Sequence, residues 1–251
     1  MEWRDEAILL HAQPHGERDA IAVVLTFEHG KHAGLVVAGR ARGRRALVEV
    51  GNRLEVVWKA RLAQHLGTFT LEPVAQPAAR LLDRPLELAG LVSACAMVDA
   101  GLREREPHPL LFAGLLRLIE RIGAATGESL DWLADYVRFE LLLLEQAGFG
   151  LDLSRCAVTG TTTGLAFVSP RTGRAVTAEA AGLHAPRLLA LPPFLVEKVE
   201  ADLLQIAQGL KLAGYFFTRH ISRPSDQPMP AARERLAHLL AARTADDSDT
   251  D

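Results

Sequence analysis

The sequence predicts an α+β fold in which a small β-barrel precedes a helical domain. Over residues 1–79, short apolar and β-branched runs alternate with turn signals. After Pro77 the apolar residues instead recur with a period of about 3.6. Between two of the predicted strands lies a cluster of arginines, which is the first indication of function. These three features divide the chain and point to a binding surface on its first part.

The barrel prediction depends on five short strands within the first 79 residues. Short strands at this spacing favour a small closed barrel of the OB type, because closure leaves no unprotected sheet edge. An SH3-like barrel would produce much the same pattern, so the spacing leaves both types open. We expect a hairpin to join the third and fourth strands. The five strands are predicted at residues 7–10, 20–27, 35–37, 54–61 and 67–74.

The helical domain is predicted in two parts, residues 80–150 and 183–243, on either side of an irregular lobe over 151–182. A run of leucines at 141–144 predicts a helix that lies centrally in the bundle, with Ser129 as its N-terminal cap. A helix break is expected near Gly209. The acidic end, 244–251, is expected to be disordered. The predicted helices cover 86–102, 111–122, 131–146, 193–221 and 231–242.

Composition and charge favour a globular protein with a local basic surface. Hydrophobic residues make up 49% of the chain, and no apolar run approaches the roughly 20 residues that span a bilayer. The net charge of −3 arises in the acidic end, since residues 1–79 hold 10 basic and 9 acidic side chains. The charged N-terminus predicts no secretory signal, and the two distant cysteines predict no disulfide. We therefore expect a cytoplasmic, nucleoid-associated protein.

Searches for catalytic motifs find none in this sequence. Gly30-Lys31 lacks the first glycine of a phosphate-binding Walker loop, because Leu25 stands in its place, and His32 follows the lysine where serine or threonine is required. There is no Gly-x-Ser-x-Gly or His-Glu-x-x-His motif. The sequence therefore predicts a protein that is not an enzyme and needs no cofactor.

Nucleic-acid binding is the function that the basic residues favour. Four arginines lie within six positions, and glycines interleave with them. The local field of such a cluster attracts phosphates whatever the net charge of the chain. Aromatic residues are few in this region, and Trp58 is expected in the core, so binding should be electrostatic and independent of sequence. The predicted DNA-binding residues are Lys31, His32, Arg40, Arg42, Arg44, Arg45, Arg53, Lys59 and Arg61.

Several motifs of this sequence resemble those of the RecO family of bacterial recombination mediators. The N-terminal ones are Gly16-Glu17-Arg18-Asp19-Ala20-Ile21, Leu25-Thr26, Gly30-Lys31 and Gly39-Arg40. In the helical part the resemblance lies in Glu106–Phe112 and, most specifically, in the run from Arg138 to Leu153, RFELLLLEQAGFGLDL. It extends over nearly the whole chain, to about residue 224.

The resemblance implies an OB domain followed by a helical domain that carries a small zinc-finger-like lobe. It also implies that the protein binds single- and double-stranded DNA and anneals complementary strands. The implied partners are RecR and the C-terminal tail of single-stranded DNA-binding protein, with help in loading RecA. For the acidic tail, which ends in an apolar residue, we expect cationic contacts from Arg138 and Arg121 beside apolar helix faces.

The lobe departs from the family in its metal ligands. Many members have two Cys-x-x-Cys pairs there, whereas this chain has only Cys156, with Thr159 at the second position and no later cysteine. A structural zinc site needs four Cys or His ligands. We therefore predict a degenerate lobe without metal, held by a small apolar core, with Cys156 as a buried remnant.

The function that follows is a DNA repair and recombination mediator that binds and anneals strands. The alternative is a helical adaptor that acts only through protein–protein contacts, with a barrel that does not bind DNA. Salt-dependent DNA binding distinguishes the two, since only the first requires the arginine cluster to neutralise phosphates.

Overall fold

A computed structural model describes residues 1–126 and 131–248 of the chain. The predicted cap Ser129 lies outside these residues. The chain divides into two compact units, Met1–Ala124 and Ala125–Asp251. Among the described helices, none combines the length and apolar character required to cross a bilayer.

Five strands of the first unit form a closed barrel in the order β1-β2-β3-β5-β4. Strand β3 pairs with β5 in parallel, and all other pairs of neighbours are antiparallel. This order, with its one parallel pair, is the connectivity of the OB fold, whereas a simple meander would pair β3 with β4. The α+β class with an OB-type barrel is therefore confirmed. The strands are β1 (Glu2–His15), β2 (Asp19–Thr26), β3 (Gly30–Val36), β4 (Arg53–Lys59) and β5 (Thr68–Ala75).

The arginines do not lie in a hairpin, and that prediction is wrong. Strands β3 and β4 are not neighbours, because β4 pairs with β1 over seven residue pairs and with β5 on its other side. Residues 37–52 instead form a long connection that contains a 3₁₀ helix, Arg45–Val48. We call this connection the arginine loop. Its length follows from the need to cross from one strand to a non-adjacent one.

Apolar side chains that alternate along the strands fill the barrel. Trp58 is 2% exposed, and its indole Nε1 donates a hydrogen bond to the carbonyl of Leu66 at 2.9 Å. The prediction that Trp58 is a core residue is confirmed. The buried cluster around it comprises Ala7, Leu9, Ala22, Val24, Val36, Leu54, Val56 and Phe69.

Two helices complete the first unit, α1 (Pro85–Gly101) and α2 (Pro109–Ala124). Helix α1 packs against β1. The carboxylate of Asp99 in α1 interacts with the side chains of two barrel residues. His11 Nδ1 lies 2.9 Å from Asp99 Oδ2, and Lys31 Nζ lies 3.5 Å from Asp99 Oδ1. The compact unit therefore extends beyond residue 79, where the sequence pattern changes, and includes both helices.

The second unit is organised around the packing of α3 (Asp131–Gln146) on α5 (Leu203–Phe217). Gly209 lies within α5, and a Cβ placed on it would stand 2.8 Å from Cγ1 of Val137 in α3. The glycine allows a close approach of the two helices. The predicted helix break at Gly209 is therefore wrong, and α5 instead continues into a π-helix over Thr218–Ser222.

The last helix, α6 (Ala231–Ser248), extends further than predicted. Residues 244–248 are helical, so the expectation of disorder from residue 244 is wrong for them, and 249–251 lie outside the described residues. Helix α6 is joined to α3 by a buried ion pair: Arg233 Nε and Nη2 donate to the two carboxylate oxygens of Glu140. Arg233 Nη2 also donates to the carbonyl of Leu210 in α5 at 2.9 Å.

Between α3 and α5 lies a small three-stranded sheet in the order β7-β6-β8. The strands are β6 (Leu165–Val168), β7 (Ala175–Thr177) and β8 (Leu189–Ala190), and a one-turn helix, α4 (Ala178–Ala181), follows β7. The apolar pieces predicted near 165–168 and 175–176 are therefore the first two strands. The third strand, which the sequence did not indicate, lies beyond the predicted end of the lobe at residue 182.

Candidate nucleic-acid interface

The arginine loop presents its cations to solvent. Arg42, Arg44 and Arg45 are exposed, and Arg40 is half-buried. The loop is braced by main-chain contacts: the amide of Ala38 donates to Asp19 Oδ1 at 2.7 Å, and Nη1 of Arg44 donates to the carbonyl of Val37 at 3.1 Å. The first bond uses a main-chain amide and the second a neutral carbonyl, so neither of them pairs a loop arginine with a carboxylate.

The turn between β1 and β2 adds a cation that the sequence analysis missed. Arg18 is exposed, and its carbonyl accepts a hydrogen bond of 2.9 Å from the amide of Arg40. Nη1 of Arg40 also donates to the carbonyl of Gly16 at 3.5 Å. These bonds place the turn beside the arginine loop. The sequence motif Gly16–Ile21 contains Arg18, but nothing in the motif indicated that Arg18 would lie beside the arginine loop.

A shallow groove of about 200 Å³ opens beside Arg44 where β3 meets β5. The two strands are paired at a single position, Leu35 with Thr68, so the pairing that closes the barrel is short at this point. Apolar and hydroxyl groups from both strands line the groove. In the OB fold, ligands usually bind on the face of strands 2 and 3 and at the β1–β2 and β4–β5 connections. The arginine loop lies beside the β1–β2 turn, which makes the groove and the adjoining loop the candidate interface.

Two of the predicted cations lie on β4 and are paired across the sheet. Arg53 Nε forms an ion pair with Glu6, and Lys59 Nζ lies 3.0 Å from Glu2 Oε1. Both carboxylates belong to β1, the neighbouring strand. These carboxylates therefore compensate the positive charges of Arg53 and Lys59. Arg61 lies just beyond the end of β4, in an exposed loop.

Lys31 and His32 are not available to a phosphate backbone. The side chain of Lys31 is 12% exposed, and its ammonium group contacts both the side chain and the carbonyl of Asp99. His32 is buried, with its ring edge-on to Trp3 and Trp58. Burial lowers the pKa of His32 to about 4, so the ring is neutral near pH 7. These two residues leave the candidate set because the fold turns them inward.

Five of the nine predicted residues thus keep an accessible and uncompensated charge. Among the side chains of residues 1–126 and 131–243, no carboxylate forms an ion pair with any of them. Of these five, the four that belong to the arginine loop, together with Arg18, give the interface a clear excess of positive charge, which is the property that electrostatic binding of nucleic acid requires. These five are Arg40, Arg42, Arg44, Arg45 and Arg61.

The two arginines predicted to receive a partner's acidic tail lie in different compact units. Arg121 is exposed on α2 in the first unit. Arg138 is on α3 in the second unit, where its guanidinium donates to Asp135 Oδ1 at 3.0 Å and to the carbonyl of Phe194 at 2.9 Å. The same group lies 5.3 Å from the centre of the Phe194 ring. Arg138 therefore already has a structural role, since it contacts both the carbonyl and the buried ring of Phe194.

The lobe does not offer a zinc site around Cys156. In the described part of the chain, no group of three or more Cys, His, Asp or Glu side chains is arranged to hold a metal. Cys156 is buried, and its Sγ accepts a hydrogen bond from the amide of Thr177 at 3.4 Å. Burial acts to raise the pKa of this thiol, but hydrogen bonds from Thr159 and nearby amides lower it to about 6. A single sulfur ligand does not fit tetrahedral zinc, and the absence of zinc stays a prediction.

Comparison with known proteins assigns both parts of the chain to one family. The family model described as Recombination protein O N terminal matches residues 1–77, and the one described as Recombination protein O C terminal matches residues 83–227. The DNA repair protein RecO of Rhodospirillum centenum is 51% identical over 238 residues, which cover 94% of this chain and 93% of the relative.

Two further relatives bear the same name. The DNA repair protein RecO of Cereibacter sphaeroides is 46% identical over 242 residues, which cover 96% of this chain and 99% of the relative. The protein of Granulibacter bethesdensis with this name is 43% identical over 246 residues, 97% of each chain. Two family models match residues 1–77 and 83–227, and the relatives are similar over nearly their full length, so the chain belongs to the RecO family of DNA repair and recombination proteins.

Proposed function

We propose that this protein binds single- and double-stranded DNA through the arginine loop and anneals complementary strands. The observation that carries the proposal is the set of exposed arginines on an OB barrel that have no carboxylate partner among the described residues. Two strands repel each other through their phosphates, and cations on the barrel lower this repulsion so that bases can pair. The step requires no bond to be broken, and we propose a binding protein rather than an enzyme.

The proposal extends to partners that act on the same DNA. As a recombination mediator in the cytoplasm, the protein would work with RecR to load RecA on DNA covered by single-stranded DNA-binding protein. Arg138 of the second unit and Arg121 of the first are each proposed as a separate cationic contact for that protein's acidic C-terminal tail. Family membership supports the proposal.

The DNA proposal is tested by the salt dependence of binding. The triple variant Arg42→Ala/Arg44→Ala/Arg45→Ala is compared with the wild type by fluorescence anisotropy on labelled single-stranded DNA at several salt concentrations. Each lost phosphate contact should flatten the plot of log affinity against log salt by about 0.7, so the expected change is about 2.

A charge-matched triple variant provides the control. Arg80, Arg103 and Arg117 are exposed in the same compact unit but lie outside the arginine loop. Their replacement by alanine should leave the slope within about 0.5 of the wild type. Equal slopes for the two triple variants would place the DNA site elsewhere. A wild-type protein that does not bind DNA would favour the adaptor alternative.

A further inference from the structure

A second cationic cleft lies in the helical unit, apart from any residue predicted to bind DNA. It has a volume of about 450 Å³ and lies between α5, its π-helical continuation and the start of α6. Three exposed cations line it: Lys211, Arg219 and Arg223. The one acidic side chain in its lining is Glu234. The cleft therefore attracts anions.

An aromatic side chain lies among these cations. Lys211, Tyr215, Arg219 and Arg223 follow one another at steps of four residues, and within α5 this step separates Lys211 from Tyr215 by about 6 Å along the axis. The Tyr215 side chain is 37% exposed, and its hydroxyl oxygen accepts a hydrogen bond from Arg219 Nη1 at 3.4 Å. This bond restrains the ring while part of its surface stays open to a planar ligand.

The turn between β6 and β7 extends the basic surface. Nη1 of Arg219 also donates to the carbonyl of Pro170 at 3.1 Å, which brings that turn to the edge of the cleft. The next residue, Arg171, is exposed. Neither it nor the three cleft cations form an ion pair with a carboxylate of residues 1–126 or 131–243, the residues whose side chains the structure describes. The charge of the surface is thus available to a ligand.

We infer that this cleft is a second contact for single-stranded nucleic acid, with Tyr215 stacking on a base and Lys211, Arg219 and Arg223 neutralising phosphates. A row of cations around an exposed aromatic ring is the combination that binds single strands without sequence preference. The inference rests on the proposed DNA-binding function. It adds a site in the second compact unit, whose wall from Met229 to Glu234 lies beyond the residues that the C-terminal family model matches.

A second DNA-binding site would help strand annealing, because annealing brings two strands together. A chain with one cationic surface in each unit can hold a strand on the helical unit while the arginine loop meets another. An acidic peptide is the competing occupant, since it would be attracted by the same charges. The partly exposed ring of Tyr215 favours the nucleic acid, because a base can stack on an aromatic ring whereas an acidic side chain cannot.

The test uses the full chain and a double variant, Lys211→Gln/Arg223→Gln. Neither side chain makes a hydrogen bond or ion pair within the described residues, so the fold should be unaffected. On labelled oligothymidylate, loss of two phosphate contacts should flatten the salt slope by about 1.4. The matched control is Arg187→Gln/Arg235→Gln, two exposed arginines of the same unit outside the cleft, which should keep the wild-type slope.

The aromatic contact is tested separately. Tyr215→Leu should weaken binding by about tenfold through loss of stacking, whereas Tyr215→Phe, which keeps the ring, should stay within about twofold. Photocrosslinking of an oligonucleotide that contains 5-iododeoxyuridine should label the peptide that carries Tyr215. Crosslinks confined to peptides of the barrel would overturn the inference.

The outcomes separate this inference from the proposed function. If the arginine-loop triple variant flattens the slope but the cleft double variant behaves as its control, DNA binding stands and the second site does not. If the double variant loses affinity for an Asp-rich peptide while its DNA binding is unchanged, the cleft is a peptide site. If the wild type binds no DNA, both proposals fail.

Discussion

The buried Arg233 and the arginine loop show how differently one type of residue acts in two regions of this protein. Arg233 is 5% exposed and bonds to the carboxylate of Glu140, which is 1% exposed, and to the carbonyl of Leu210. Burial acts to lower the pKa of Arg233, but the facing carboxylate of Glu140 raises it, so the guanidinium stays charged. The loop arginines have no such partner among the described residues. Arginine stabilises the fold in the first region and leaves its charge for a ligand in the second.

The largest effect is expected at the buried pair. Arg233→Met leaves the Glu140 carboxylate buried without a partner, and we expect the free energy of unfolding to fall by about 3–5 kcal/mol. The double variant Arg233→Met/Glu140→Leu replaces the pair with apolar groups and should recover most of that loss. Urea denaturation of the wild type and the three variants of this cycle measures both. A single variant as stable as the double would contradict the structural role.

A smaller loss of stability is expected for Arg138, which is exposed like the loop arginines but is bonded within the fold like Arg233. Arg138→Ala removes a hydrogen bond to the carbonyl of Phe194 and a contact with its ring, which should lower the free energy of unfolding by about 1–2 kcal/mol. We also expect weaker binding of a peptide with the C-terminal sequence of single-stranded DNA-binding protein. Arg187→Ala is the matched control. Wild-type peptide affinity in Arg138→Ala would remove Arg138 from the proposed tail site.

A still smaller and pH-dependent effect is expected where the barrel meets α1. A hydrogen bond to Asp99 raises the pKa of His11, so the charged form stabilises the folded state. This contribution is fully present below the ordinary pKa of histidine, about 6.5, and is lost as pH rises through the raised folded value.

The variant His11→Ala measures this contribution. Because the pair is partly exposed, we expect it to lower the free energy of unfolding by less than about 1 kcal/mol near pH 5.5 and to have almost no effect near pH 8.5. His184→Ala, at an exposed position of the other unit, should show no such pH dependence. A loss that is equal at both pH values would mean that the effect does not arise from the His11–Asp99 charge pair.

The smallest effect on stability is expected in the arginine loop itself. Replacement of Arg42, Arg44 and Arg45 by alanine should change the free energy of unfolding by no more than about 0.5 kcal/mol, because exposed side chains without ion pairs contribute little. The same variant should show the large change in DNA binding described above. A destabilisation comparable with that of Arg233→Met would mean that the loop arginines hold the fold, and the contrast between the two regions would be lost.

The amino-acid sequence by itself determined the division into barrel and helices, most element positions and the location of the basic cluster. Helix α3 covers Asp131–Gln146, the span that its apolar pattern predicts, and Trp58 lies in the core. These properties follow from local periodicity and from the identity of neighbouring residues, which a sequence displays directly.

Only the tertiary structure decided which basic residues are paired with carboxylates and which leave their charge available to a ligand. The carboxylates that pair with Arg53 and Lys59 lie nearly 50 residues or more away in β1, and Asp99 meets Lys31 from a helix. In the same way, Gly209 suggested a break but allows α3 and α5 to pack closely, and the arginine loop is a crossover because β4 pairs with β1. Such contacts join residues far apart along the chain, so no local pattern encodes them.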